Sequence, residues 1–119
     1  MTGKPFGQLG ENLAAKQLEK NAYTIIDRNW HCQHGEIDIV AKKGDTWVFC
    51  EVKTSKTATH SEAFARINPR KRQKLIAAAH LYIHQNQLED ALWRIDAMAV
   101  IFHESHQPLI HHVEDALDW

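Results

Sequence analysis

No apolar run in this chain approaches the ~18 residues of a membrane-crossing helix, and no charged segment followed by an apolar stretch opens it. Nothing in it argues for export or insertion, so a cytoplasmic location without a membrane partner is expected. Cysteine is scarce as well: Cys32 and Cys50 are the only two, neither sits in a CxxC pair, and reduced thiols are expected. The three prolines and five glycines fall near the edges of periodic segments, and there is no internal repeat or low-complexity tract. Net charge is nearly absent, with 14 basic against 15 acidic side chains and a net of -1. That excludes nucleic-acid binding through global positive charge, so any such partner must be held by a local basic patch. What is present, 119 residues with 44% hydrophobic and 24% charged, is the make-up of one globular domain spanning 1–119.

Hydrophobic periodicity divides the chain into seven segments. From about Gly7 to Asn21 good helix formers dominate, and Ala14, Ala15, Leu18 and Ala22 share one arc at helical spacing. Glu11 falls within that arc. A carboxylate there is unusual, although it also sits where the positive end of a helix dipole would favour it. Strands are expected at Tyr23 to Trp30, Glu36 to Ala41 and Thr46 to Lys53, with a turn at Lys42 to Asp45 joining the last two. Thr54 to Ile67 lacks a period and reads as a surface loop. Asn68-Pro69 offers a cap followed by proline at the first helical position, opening a helix to about Gln85 that buries Leu75, Ile76, Ala79, Tyr82 and Ile83. A strand at about Leu92 to Phe102 and a weaker one after Pro108 complete an α-β-β-β-α-β-β order, which implies a mixed α/β sheet flanked by helices.

The hairpin GEIDIVAKKGDTWVFCEVK, residues 35 to 53, carries the chemistry. Alternation puts Ile37, Ile39 and Ala41 on one face of its first strand and Glu36, Asp38 and Val40 on the other. The second strand separates Val48, Cys50 and Val52 from Trp47, Phe49, Glu51 and Lys53. In a register whose paired numbers sum to 89, the first set pairs apolar with apolar, while Asp38 faces Glu51 and Glu36 faces Lys53. Two carboxylates opposed across a ladder destabilise it. Protonating one relieves the repulsion, and so does a hard divalent cation, which carboxylates and phosphate oxygens suit. Lys53 points the same way and could hold an attacking water or stabilise a pentacovalent phosphate. The ordinary alternative is a solvated face with Glu36 and Lys53 as an exposed ion pair. Val40, Phe49 and Trp47 make that face too apolar at its turn end for simple exposure.

Gly10-Glu11 on a helix, Gly35-Glu36-Ile37-Asp38, Glu51-Val52-Lys53 and a later lysine- and arginine-led helix together resemble the UPF0102 (YraN-like) family. Its members look like PD-(D/E)xK nucleases of the Holliday-junction-resolvase type, and the resemblance covers nearly the whole chain. It implies a restriction-endonuclease-like fold and a metal-dependent endonuclease acting on DNA, with branched or structured DNA as a substrate. It implies Asp38 and Glu51 as ligands of Mg²⁺ or Mn²⁺, the Val52 carbonyl as a third, Lys53 as the catalytic lysine, and Glu11 as the helix glutamate that contacts the metal or its water. A homodimer would supply two such sites for two strands. Ile37 stands where the motif's name has proline. Thr54-Ser55-Lys56 follows where an arginine is common, so Lys56 would have to take over that phosphate contact.

Arg70, Lys71, Arg72 and Lys74 crowd the first turns of the second helix, where the macrodipole disfavours cations. With the free N–H groups there they form a candidate phosphate-binding patch, against the alternative of an exposed basic helix end. Arg94 and Asp96 alternate on a strand and read as a structural ion pair. Neither His31-Cys32-x-His34 nor His80 with His84 has the spacing or the partner glutamate of a zinc motif. The competing function is a non-catalytic nucleic-acid-binding or assembly module with the same fold. It would bind through Arg70 to Lys74 and need no metal.

Overall fold

A computed structural model describes residues 4–56, 69–104 and 107–116. Helix α1 (Lys4–Lys20) is followed by strands β1 (Thr24–Cys32), β2 (Gly35–Lys43) and β3 (Thr46–Ser55), then helix α2 (Pro69–Gln85) and strands β4 (Leu92–Ile101) and β5 (Leu109–Val113). This is the order that periodicity predicts. Of the expected Thr54 to Ile67 loop, Thr54 and Ser55 extend β3, and residues 57–68 lie outside the described residues, as does the Asn68 cap.

One mixed sheet holds the five strands in the order β1-β2-β3-β4-β5, antiparallel throughout except for the parallel pair β3–β4. Parallel neighbours cannot be joined by a tight turn, and α2 lies in the long connection between them. Each face of the sheet carries one helix. Ala14, Ala15 and Leu18 of α1 pack on Ile39, Ala41, Val48, Cys50 and Val52. Leu75, Ala78, Ala79, Tyr82 and Ile83 of α2 pack on Val40, Phe49 and Ile95. The face that carries Asp38 and Glu51 is thus covered by α2 at its turn end, where Val40 and Phe49 are fully buried.

Both helices stop without a glycine. Ala22 and Gln87 take the left-handed conformation, at φ 71° and 57°. Tyr23 N–H then returns to the Leu18 carbonyl at 3.0 Å, and Leu88 N–H to that of Ile83 at 2.8 Å. These bonds satisfy carbonyls that a helix end leaves open.

Gly10 sets how closely α1 approaches the sheet. A Cβ there would overlap the Thr54 hydroxyl and stand 2.9 Å from Thr54 Cγ2. The helix therefore lies directly on β3 one residue before Glu11 and one residue after Lys53. Gly10→Ala is expected to lose roughly 1–3 kcal/mol by overpacking, read in urea denaturation, and adding Thr54→Ala should restore most of it. An unchanged midpoint in Gly10→Ala would refute the close approach.

Candidate metal and phosphate site

The site begins where β2 leaves β3. Their ladder runs from Lys43–Thr46 to Ile39–Cys50 in the register summing to 89, and it ends there. Beyond it Asp38 takes the place of a backbone partner, accepting the Val52 N–H on Oδ2 at 2.8 Å. The alternation of β2 breaks at the same point: Ile37 packs into the cluster beneath α2 with Val40 rather than joining Ile39 and Ala41. Because the strands part, Asp38 is reached from both helices.

From the α1 side come Glu11 and, at the start of β2, Glu36. One carboxylate oxygen from each of Glu11, Glu36 and Asp38 lies within 4.8 Å of the others. Glu11 lies past the first turn of α1, because the helix starts at Lys4, so a place at the dipole's positive end does not account for it. Asn29 of β1 joins the two glutamates: with its amide nitrogen turned toward them it donates to Glu36 Oε1 at 2.7 Å and to Glu11 Oε1 at 2.8 Å. It does so from a left-handed φ of 52°, which asparagine tolerates better than most residues.

Burial, the Glu51 charge beside it and the nearby Glu11 and Glu36 push the Asp38 carboxyl up to about 8, although the Val52 N–H pulls the other way. Burial and Glu36 raise Glu11 too, against Arg28 and Asn29. Three carboxylates thus converge, with Glu51 beside Asp38 and paired with Lys53. Their donors are all hard oxygens, which fits Mg²⁺ or Mn²⁺ rather than a softer metal.

Lys53 and Glu51 form an ion pair at 3.4 Å, each side chain 17% exposed. The alternative pairing of Glu36 with Lys53 does not occur, because Glu36 turns to Asn29 and to His31, whose Nδ1 is 3.9 Å away. Lys71 and Lys74 of α2 line a cavity of about 210 Å³ together with Glu36, Asp38 and Glu51. Arg70 and Lys74 line a second recess of about 560 Å³ beside the β1–β2 turn, with His34 and Gln73. The two recesses share Gly35 and Lys74. Gly35, at φ 139°, holds a backbone conformation that side chains rarely adopt. Arg72 is half-buried. Lys56 stands apart, over the Phe6 ring at 5.4 Å.

The remaining candidates are structural. Asp96 is fully buried, accepting from Arg94 Nε at 3.0 Å and the Asp115 N–H at 2.9 Å, with His112 Nε2 at 2.7 Å. His80 packs edge-on against Trp93, and His84 pairs with Glu89 at 3.4 Å. Both cysteines are free, and burial pushes the Cys50 thiol well up. Among the described residues no helix is long and apolar enough to cross a membrane.

Glu36, Asn29 and Lys71 take places that a reading of the sequence does not give them. Glu36 shares the charged face by alternation but pairs with Lys53 only on paper. Asn29 carries a weak signal, an amide amid β-formers. The place of Lys71 in one cavity with Asp38 and Glu51 is a tertiary contact with no signal of its own.

Residues 10–100 match the profile described as "Uncharacterised protein family UPF0102". A UPF0102 protein of Geobacter sulfurreducens is 38% identical over 115 residues, covering 97% of this chain and 90% of its own length. One from Geotalea daltonii is 36% identical over 115 residues, covering 97% and 91%. One from Chloroflexus aurantiacus reaches 45% over 96 residues, covering 79% and 77%. The matched span of this chain includes Glu11, Glu36, Asp38, Glu51, Lys53 and Lys71, and the chain belongs to the UPF0102 family.

Proposed function

We propose that this chain is a metal-dependent endonuclease that hydrolyses phosphodiester bonds in DNA. The observation that carries the reading is the crowding of Glu11, Glu36, Asp38 and Glu51 around one opening in the sheet, with Lys53 beside them. A fold gains nothing from such crowding, whereas a divalent cation and a phosphate neutralise it from opposite sides. Asp38, Glu51 and Glu11 would hold Mg²⁺ or Mn²⁺, with Glu36 and the Val52 carbonyl completing the oxygen donors. When bound, the cation supplies polarisation of the phosphoryl oxygen and a more acidic water.

The chain's own groups do the rest. The Val52 N–H fixes the rotamer of Asp38, and Asn29 holds Glu11 and Glu36 together. Lys53, anchored by Glu51, orients the attacking water or stabilises charge on the pentacovalent phosphate. Arg70 and Lys74 hold neighbouring phosphates of the strand and supply the positive charge that the whole chain lacks.

The test is cleavage of linear, flapped and four-way DNA with Mg²⁺ or Mn²⁺, for the wild type beside Lys53→Ala and Glu51→Gln. Wild-type cutting should require the metal, and Lys53→Ala should be slower by roughly 10²–10³-fold. Binding without cleavage under either metal would favour the non-catalytic module instead. Variants that cut as fast as wild type would remove Lys53 and Glu51 from the chemistry.

A further inference from the structure

Three consecutive residues of α1 each meet the sheet. Gly10 lies against Thr54 of β3, Glu11 accepts from Asn29 of β1, and Asn12 Oδ1 accepts from Arg28 Nη2 at 2.7 Å. The same Asn12 oxygen also accepts from Gln8 Nε2, one turn earlier, at 3.1 Å. Neighbours on β1 thus grip neighbours on α1, Asn29 with Glu11 and Arg28 with Asn12. Arg28 reaches the helix because its ladder partner is Ile39, which packs beneath α1. Alternation along a strand sends neighbours to opposite faces, and the left-handed φ of 52° at Asn29 lets both side chains reach the helix. Stability alone does not account for the arginine. Its Nε is buried with no hydrogen-bond partner among the described residues, and an unmet buried donor destabilises a fold.

We propose that Arg28 is a positioning residue for the metal site: by holding Asn12 it fixes α1 on β1, so that Glu11 stands with Glu36 and Asp38. This rests on the metal-site reading above. The three carboxylates repel one another while no cation lies between them. Glu36 and Asp38 share one strand, whereas Glu11 rides on a helix that can shift across the sheet as a unit. Repulsion therefore acts to push α1 away, and the bond from Arg28 to Asn12 opposes it at the very next residue. Asn29 holds the Glu11 carboxylate itself, and Arg28 holds the turn of helix that carries it. Arg28 acts through Glu11 in this role and contacts neither the cation nor the phosphate. Groups that fix the orientation of metal ligands from behind are worth roughly 10–100-fold in metal affinity.

Two measurements without DNA test this: Mn²⁺ binding, followed by electron paramagnetic resonance of the free ion, and crystal structures of the metal-free variants. In Arg28→Met, Mn²⁺ affinity should fall roughly 10–100-fold, and the Glu11 carboxylate should leave the group whose oxygens lie within 4.8 Å of one another. Asn12→Ala should do the same, and the double variant should lose little more than either single one. In a Glu11→Gln background Arg28→Met should barely change Mn²⁺ affinity, because its effect passes through Glu11. An arginine that only supports the fold would lower the urea midpoint and leave the Mn²⁺ affinity of the folded protein as it was. That result, or an effect that persists in Glu11→Gln, overturns the assignment. If Arg28→Met does not fold, Asn12→Ala decides by the same readouts. If the wild type binds no Mn²⁺, the metal reading fails, and the crystal structures judge the grip alone. Displacement of Glu11 in Arg28→Met then still supports it, and Glu11 unmoved sinks it whether or not metal binds.

Discussion

Asp38→Asn is expected to abolish metal-dependent cleavage and, at the same time, to make the protein more stable at neutral pH. The fold holds the Asp38 proton up to about pH 8, against an ordinary 3.8. Between those limits the folded chain binds more protons than the unfolded one, so stability falls as pH rises. The contribution is complete below 3.8 and is lost as pH climbs through the folded value. At pH 7 the wild type would therefore carry an unfavourable term that the neutral amide removes, on the order of 1–3 kcal/mol after allowance for partial exposure. Asparagine still offers an oxygen to the Val52 N–H, so the anchor survives. Thermal unfolding at pH 4 and pH 7 checks the sign: the variant's advantage should appear at pH 7 and shrink toward pH 4. Saturating Mg²⁺ should stabilise the wild type and not the variant, since a ligand that binds only the folded state adds its binding free energy to stability. Equal melting temperatures at both pH values, with and without Mg²⁺, would mean that Asp38 bears neither the strain nor the metal.

The second large effect lies away from the site and has the opposite pH dependence. Asp96 is fully buried between Arg94, His112 and the Asp115 N–H. Burial alone would raise its carboxyl, but the hydrogen bonds from His112, Arg94 and Asp115 outweigh it and hold the group below the ordinary 3.8. Its contribution is therefore present above 3.8 and lost as pH falls through the lower folded value. Asp96→Ala leaves Arg94 without its buried partner and should cost about 3–5 kcal/mol, a large share of the 5–15 kcal/mol typical of a domain. Urea denaturation at pH 7 measures it. The kcat of the folded fraction should not change, because Asp96 ties β4 to β5 and its following turn rather than to the carboxylate site. A loss of kcat without a loss of stability would place Asp96 in the chemistry after all.

These two aspartates look alike in the sequence, each on a strand and each beside apolar residues. Alternation and the sum-89 register made the first conspicuous, because they set two like charges, Asp38 and Glu51, opposite one another beside a set of apolar pairs. The structure keeps that register at Ile39–Cys50, Val40–Phe49 and Ala41–Val48. It departs only past Ile39, where the strands separate and the paired carboxylates become an opening instead of a ladder step. Local pattern could not announce that departure. It depends on Asn29 in β1 taking a left-handed turn, on Gly10 letting α1 settle against Thr54, and on Glu36 choosing Asn29 over Lys53.

The sequence by itself determined the order of elements, the apolar face of most of them, though not that of β2 at Ile37, and the placing of Asp38, Glu51 and Lys53 on one side of a hairpin. Those properties follow from periods of 2 and 3.6 residues, which a chain carries in one dimension. Only the tertiary structure decided that Glu36 joins Glu11 and Asp38 at the same opening and that Lys71 and Lys74 line a cavity with Asp38 and Glu51. These contacts join α1, β2, β3 and α2, and their distances are set by how helices settle on a twisted sheet. No spacing along the chain encodes that.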